Sequence, residues 1–360
     1  MDLLLAFFAG QRYNQCISQV RHLLEKEEKT MKKKLFAFVM AMVMILSLAA
    51  CGGDNSGNKG AAAVDTNTVA VGAVVIARDD VPEDDIYAFV SAIFENKDAL
   101  SEQHDKGKEL DLDFAASVTS VPYHPGAAKY FSEKGKTVAV KEGAGAGSSK
   151  ALSFGTGGDT GTYYGFGGVL SSYVSSNTSV SVTALTSGGS KANIEDLAAG
   201  NVQLAFVQSD VMSYAYNGER LFDSAVSGFS VVAALYMEQV QIVTTNPDIK
   251  SVADLAGKSV SIGDRGSGVW FNAVDVLSAY GIDPDTGISP VYQSFGDSAE
   301  SLKDGKIDAA FIVAGAPTTA IVDLATSKSV YLVGLDESHT NDLLASSPYY
   351  SAYTIKAGTY

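Results

Sequence analysis

The run Leu152-Ser-Phe-Gly-Thr-Gly-Gly-Asp-Thr-Gly-Thr-Tyr-Tyr164 leads a short apolar strand through a glycine turn into a helix opened by two tyrosines. Such a turn aims backbone N–H groups at whatever lies above it. The helix start behind them carries partial positive charge, so the chemistry on offer is anion binding. A dinucleotide fingerprint would need a third glycine where Thr160 stands. It would also need an acidic residue about 20 positions on, and nothing between Asp159 and Glu195 is Asp or Glu. What remains is an anion cradle at Thr156, Gly157 and Gly158 with Tyr163 and Tyr164, or a plain strand-to-helix turn with packing tyrosines. One tyrosine is expected to face a cleft and the other to pack.

Similar turns recur. Thr186-Ser-Gly-Gly-Ser-Lys-Ala-Asn193 offers bare amides at Gly188 and Gly189 and a helix cap at Ser190. Gln208-Ser209-Asp210 leaves the strand Gln203-Leu-Ala-Phe-Val207, and Gly263-Asp-Arg-Gly-Ser-Gly268 leaves Ser259-Val-Ser-Ile262. Ala314-Gly-Ala-Pro-Thr318, with Gly315 and Pro317, leaves Ala309-Ala-Phe-Ile-Val313. Each turn alone is ordinary turn chemistry. Their recurrence at successive strand ends fits one cleft ringed with donors. Ser190 and Asn193 serve either a ligand or a helix cap, and Asp210 either a ligand or backbone amides. Arg265 either pairs with a ligand carboxylate or stands at the surface. Ser267, between Gly266 and Gly268, is the strongest single candidate after Thr156. Trp270 walls the pocket or packs in the core, and His124 is read as structural.

Around these turns, strands at 151–154, 180–185, 203–207, 230–235, 240–244, 258–262, 309–313 and 329–334 alternate with helices near 163–175, 190–199, 268–280, 297–304 and 315–326. Alternation of this kind predicts three-layer α/β lobes with parallel sheets. Upstream, Val69–Ala77 reads as a buried strand, Pro82 opens a helix, and 127–134 forms another. Glu142-Gly-Ala-Gly-Ala-Gly-Ser-Ser-Lys150 reads as a flexible connection.

The N-terminal region carries an address. Three lysines after Met31, an apolar run from Leu35 to Leu46 and small residues make a secretory signal peptide, too short to span a bilayer. Leu48-Ala-Ala-Cys51 resembles the bacterial lipobox, which makes Cys51 the lipid attachment point and the domain an extracytoplasmic, membrane-tethered one. Residues 1–30 fit none of this and are read as a misassigned upstream start. Removing residues 1–50 takes away seven basic and four acidic residues, leaving 19 against 37, a charge near −18. That balance argues against nucleic acid and anionic membrane surfaces as partners. The two cysteines, Cys16 and Cys51, and four scattered histidines offer no disulfide, thiol nucleophile or metal spacing. No hydrolase elbow or phosphate loop is present, so no enzyme and no cofactor are expected.

With these residues in place, the chain resembles the TAXI family, the solute receptors of tripartite ATP-independent periplasmic (TRAP) transporters. The resemblance rests on Gly155-Thr-Gly-Gly to Gly161-Thr-Tyr-Tyr, Ser187-Gly-Gly-Ser with Asn193, Val207-Gln-Ser-Asp and Ala215-Tyr-Asn-Gly218. It continues through Leu235-Tyr-Met-Glu238, Ser251-Val-Ala-Asp-Leu-Ala-Gly257, Gly266-Ser-Gly268, Gly305-Lys-Ile-Asp-Ala-Ala310, Ala314-Gly-Ala-Pro317 and Ile355-Lys-Ala-Gly-Thr-Tyr360. Family members often have Thr where Val269 stands, and they continue past Ala-Gly-Thr-Tyr with a strand like Val69–Val75, a helix like Val81–Phe94 and a motif like His124-Pro-Gly-Ala-Ala128. Here that tail precedes the body. The order suggests a circular permutation; an assembly rearrangement or a tail from a duplicated neighbour would give the same order.

The resemblance implies a two-lobed periplasmic-binding-protein-like (type II) fold with a ligand cleft between three-layer α/β lobes. It implies a monomer that captures a small organic anion (glutamate, 2-oxoglutarate or a related dicarboxylate) and hands it to fused TRAP membrane permease subunits. A ligand-binding lipoprotein serving a sensor or an ABC-type permease is the alternative. The expected organisation is extension 1–30, leader 31–50, tether 51–63, permuted segment 64–136, linker 137–150, lobe 1 at 151–236 with the helices of 82–135, and lobe 2 at 237–360 with strand 68–78. Glu238, near the lobe crossover, is expected to act as a hinge or interlobe group rather than a ligand contact.

Overall fold

A computed structural model describes residues 64–148 and 151–360. Segment 1–30, the leader, Cys51, the tether and positions 149 and 150 of the linker lie outside the described residues.

Two long strands organise everything else. β1 (Thr66–Arg78) and β5 (Phe229–Thr244) are runs of β-branched and small apolar residues, buried along almost their whole length. At roughly 3.3 Å per residue such strands exceed 40 Å, enough to traverse two layers of packed elements. They pair antiparallel from Ala70 opposite Gln239 to Arg78 opposite Phe229, with register shifts at Ala73/Val74 and Val75/Ile76. Each strand belongs to both halves of the molecule. The later part of β1 (Ala73–Ala77) pairs with β4 (Leu204–Gln208), whereas its start (Thr66–Ala70) pairs with β10 (Ser351–Ile355). β5 pairs through Gln239–Val243 with β8 (Ala309–Ala314).

On one side of this crossing lie β2 (Leu152–Gly155) and β3 (Val182–Leu185), parallel to each other and to β4. On the other lie β6 (Ser259–Ser261) and β7 (Ser289–Val291), parallel, with β6 also parallel to β8. β9 (Tyr331–Leu332) adds to β5. The strand order is β3-β2-β4-β1-β5-β8-β6-β7. The fold is therefore α/β with two parallel-stranded lobes joined by crossing strands, the class the sequence predicts. The single expected strand of lobe 2 near 68–78 serves both lobes, and the two expected strands at 230–235 and 240–244 are one, because Tyr236–Gln239 stays extended through the crossing.

The helices follow their end signals. α1 (Glu83–Phe94) starts after Pro82 with Glu83, Asp84 and Asp85 in its first turn. α2 (Lys97–Gln103), a 3-10 turn at Asp105–Glu109 and α3 (Leu112–Ala115) follow. α4 (Pro125–Glu133) is capped by the ring of His124, which accepts from the Gly126 amide, with Pro125 in the first turn. Then come α5 (Thr162–Asn177), α6 (Ser190–Ala199), α7 (Ser209–Asn217), α8 (Val269–Ala279), α9 (Phe295–Lys303), α10 (Thr319–Ala325) and α11 (Glu337–Ser346).

One apolar cluster, built on Phe89, Phe131, Phe154, Phe166, Phe206 and Phe229, fills the first lobe. In the second lobe β8 alternates, as a strand must. Phe311 and Val313 enter one cluster with Val260 and Leu277, while Ala310 and Ile312 enter another with Ile321 and Leu324. The glycine-rich stretch expected as a flexible connection is docked at Gly145 and Gly147. The Gly145 amide donates to the Asp79 carbonyl at 2.7 Å, and the Glu83 amide donates to the Gly145 carbonyl at 3.1 Å. No helix among the described residues is long and apolar enough to cross a membrane.

Candidate functional site

The turns leaving the strands of the two lobes face each other across a cavity of about 580 Å³, its mouth included. The first lobe lines it with Gly157, Gly158, Gly161, Thr162, Tyr163, Ser187, Gly188, Gly189, Ser190 and Gln208. The second contributes Asp264, Ser267, Gly268, Val269, Gln293, Ser294, Phe295, Val313 and Ala314, and the crossing strand β5 contributes Glu238. Four helices begin at this wall, since Thr162, Val269, Phe295 and Ser190 are each a first helical residue. Three of them, α5, α6 and α8, have no side-chain cap; the Ala192 amide of α6 and the Phe271 amide of α8 meet the carbonyls of Gly266 and Gly268, and the remaining first-turn amides have no cap of their own. The amides of Gly158 and Gly188 donate to no protein acceptor among the described residues. Ser267 Oγ, on a residue 8% exposed, also has no partner.

Among the described residues, none of those lining the cavity is Lys, Arg or His. The positive potential there comes from amides and helix ends. The charged lining groups are both acids, Glu238 and Asp264. Glu238 is 2% exposed and accepts a 2.6 Å bond from the Tyr163 hydroxyl, whose ring stacks on Phe206. Burial pushes the Glu238 carboxyl up to about 8, against the pull of the Tyr163 bond, with Asp210 raising it further and Lys106 lowering it. Burial likewise holds the Tyr163 phenol well above its usual value, and neighbouring Glu238 adds to this.

Behind the cavity a polar cluster joins the lobes. Gln208 Nε2 donates to Asn272 Oδ1 at 2.5 Å, and Asn272 Nδ2 donates to Asp210 Oδ2 at 2.9 Å and to the Tyr350 hydroxyl at 2.8 Å. Gly268 sits so close to this cluster that a Cβ would lie 1.7 Å from Gln208 Oε1. Burial pushes the Asp210 carboxyl up to about 6, opposed by the Val211 amide and by Asn272. Direct contacts close both rims. The Ala192 amide donates to the Gly266 carbonyl at 3.0 Å, Thr162 Oγ1 to the Gly315 carbonyl at 2.9 Å, and Lys106 Nζ to the Ala316 carbonyl at 2.9 Å.

The residues singled out in the sequence divide between wall and scaffold. Gly157, Gly158, Tyr163, Gly188, Gly189, Ser190, Gln208, Ser267 and Gly268 line the cavity. Thr156 lies beneath it, its hydroxyl donating to the Leu185 carbonyl at 2.6 Å. Asn193 ties β2 to β4 through donations to the carbonyls of Gly155, Thr156 and Phe206. Ser209 Oγ accepts from the Gly72 amide on β1, and Asp210 serves the interlobe cluster. Tyr164 points away and is 38% exposed. Arg265 is exposed and stacks on the Tyr292 ring at 4.0 Å. Gly266 and Gly315 contribute rim carbonyls, and Pro317 is exposed after a cis bond. Trp270 packs edge-on to Phe271.

Sequence reasoning passed over Gln293, Ser294 and Phe295, whose turn follows β7, a three-residue strand with little apolar signal. Glu238, expected as a hinge or interlobe group near the crossover, lies on the crossing strand β5, bonds to Tyr163 and also lines the cavity.

The sequence matches one family over residues 55–135 and 154–360. The chain belongs to the NMT1-like family. Among solved structures, this NMT1-like chain is similar to the alkanesulfonate-binding protein SsuA of Xanthomonas axonopodis pv. citri bound to MOPS, at 17% identity and TM-score 0.37, over 52% of this chain and 62% of that one. It is similar to an ancestral arginine-binding protein bound to arginine, at 18% identity and TM-score 0.38, over 52% and 79% of the two chains. It is also similar to a putative L-cystine ABC transporter protein from Listeria monocytogenes, at 18% identity and TM-score 0.36, over 55% and 90%. The NMT1-like chain spans 62% of the Xanthomonas sulfonate-binding protein and 63% of its Escherichia coli counterpart.

Proposed function

We propose that this protein is an extracytoplasmic solute receptor of the TAXI type. It binds a small organic anion (glutamate, 2-oxoglutarate or a related dicarboxylate) between its lobes and delivers it unchanged to a TRAP permease. The observation that supports this most is the convergence of three uncapped helix starts and an unpartnered serine hydroxyl on one cavity between two lobes. Amide donors of this kind hold a carboxylate without a cationic side chain. Lobe closure on the ligand is the motion such a hinge allows. Lipidation at Cys51 would tether the receptor outside the cell membrane.

We further propose that the chain is a circular permutant of its family. β10 and β1 run antiparallel, and the Ala357 amide donates to Asp65 Oδ1 at 3.0 Å. A short turn from 360 to 64 would thus restore the family's order.

The test is a thermal-shift screen of the full-length chain against glutamate, glutamine, 2-oxoglutarate and C4–C6 dicarboxylates. One compound should raise the melting temperature saturably, by the equivalent of about 2.7 kcal/mol at a hundred times its Kd. Ser267→Ala should lose at least half of that shift. A cooperative melt that none of these compounds moves would refute the anion assignment.

A further inference from the structure

The helix starts account for one end of a ligand and leave the acceptors in the wall without a purpose. Glu238 uses Oε2 for the Tyr163 hydroxyl, and its Oε1 has no protein partner among the described residues. Lys106, whose charge Glu238 feels, is already held by Glu109 at 2.5 Å and by the Ala316 carbonyl. Gln293 donates through Nε2 to Ser301, while its buried Oε1 is unpartnered. Asp264 adds a second acid to the wall, and Asp210 lies behind it. A ligand carrying only carboxylates would keep the buried Glu238 protonated, because like charge disfavours its ionised form. A ligand with N–H donors would satisfy two orphan acceptors and leave its carboxylate to the amides.

Resting on the organic-anion reading above, we propose that Glu238 is the counter-charge for a ligand ammonium group. The cavity therefore selects zwitterionic amino acids over their 2-oxo and deamino counterparts. The Tyr163 hydroxyl fixes the carboxylate, and Gln293 Oε1 accepts a second N–H. Burial also raises the proton affinity of Glu238, so an ammonium is what draws out its charged form.

Calorimetric titration of the full-length chain at pH 7.5 tests this with matched triads. These are L-glutamate, 2-oxoglutarate and glutarate, and L-leucine, 4-methyl-2-oxopentanoate and 4-methylpentanoate. In at least one triad the amino acid should bind about tenfold or more tightly than both partners. In Glu238→Gln that advantage should shrink to about threefold or less, with the oxo acid unchanged or tighter. Tyr163→Phe, which keeps the carboxylate, should retain the preference. Binding in which neither triad gives its amino acid an advantage on the wild type overturns the ammonium assignment and leaves the organic-anion reading standing. A preference that persists in a folded Glu238→Gln overturns the role of Glu238. Should that variant not fold, Glu238→Ala takes its place, and an undiminished advantage there overturns the same role. No binding by any member of either triad overturns both readings.

Discussion

Glu238 is buried at the crossing of the two lobes with one bond, from the Tyr163 hydroxyl, and burial makes it a reporter of pH. Its native pKa is raised from 4.5 to about 8 by burial. Between those values the folded chain holds a proton that the unfolded chain has lost, so stability falls as pH rises through that window. Glu238→Gln should flatten the fall between pH 6 and 8 and leave the variant about 1–3 kcal/mol more stable than wild type at pH 8. Urea denaturation at pH 6 and pH 8 checks this, and an unchanged slope would contradict it. His124 runs the opposite way. Its ring is fully buried against the Val81 carbonyl at 2.9 Å, and burial lowers its pKa to about 4. Its contribution is complete above pH 6.5 and is lost as pH falls toward 4, a loss that His124→Asn should abolish in an acid titration of stability. At this scale the glycine turns were legible because a donor-rich turn needs those residue types. What was not legible was occupancy. Thr156 carries the same hydroxyl as Ser267, yet the Leu185 carbonyl consumes it, strand-end carbonyls consume the Asn193 amide and the Gln208 amide occupies Ser190 Oγ, and only the packed structure shows which polar groups are left over.

At the level of elements, the contact between α1 and α4 depends on a missing side chain. A Cβ at Gly126 would lie 2.1 Å from the Glu83 carbonyl oxygen and 2.8 Å from the Tyr87 nitrogen. Gly126→Ala should cost about 2–4 kcal/mol, because backbone must move to admit the methyl group. Gly168 in α5 has nothing within 4 Å, so Gly168→Ala should stabilise by about 0.5–1 kcal/mol. Paired denaturation curves decide both, and equal effects would refute the close-packing account. Helices with clear caps were readable to within a few residues: α6 ends at Gly200 and α1 begins after Pro82. The elements missed were those whose pattern is masked by burial or brevity. α7 is short and starts at Ser209 directly behind Gln208, the last residue of β4, so no turn residue separates helix from strand. α11 and β10 are largely exposed and carry few apolar residues.

For the molecule as a whole, the lobes were legible from alternation of strands and helices, but the crossing was not. Nothing in Val69–Ala77 says that its two ends serve different lobes. The proposed permutation makes a direct prediction. A chain beginning at 151, running to 360, joined by a short turn to 64 and ending at 148 should fold cooperatively. Its melting temperature should lie within a few degrees of the original and its ligand profile should match. Contact between positions 65 and 357 favours rejoining there. Scanning calorimetry of both chains checks this, and failure of the reordered chain to fold would sink the idea.

The chain order also has a consequence during synthesis. β1 leaves the ribosome before β4, β5 and β10, the strands that will flank it. At about 5–20 residues per second, the wait for β4 is on the order of ten seconds. For that interval thirteen residues of apolar strand have both edges unpaired, the template that invites aggregation. Holding chaperones should therefore matter more to the yield of this chain than to that of its reordered counterpart.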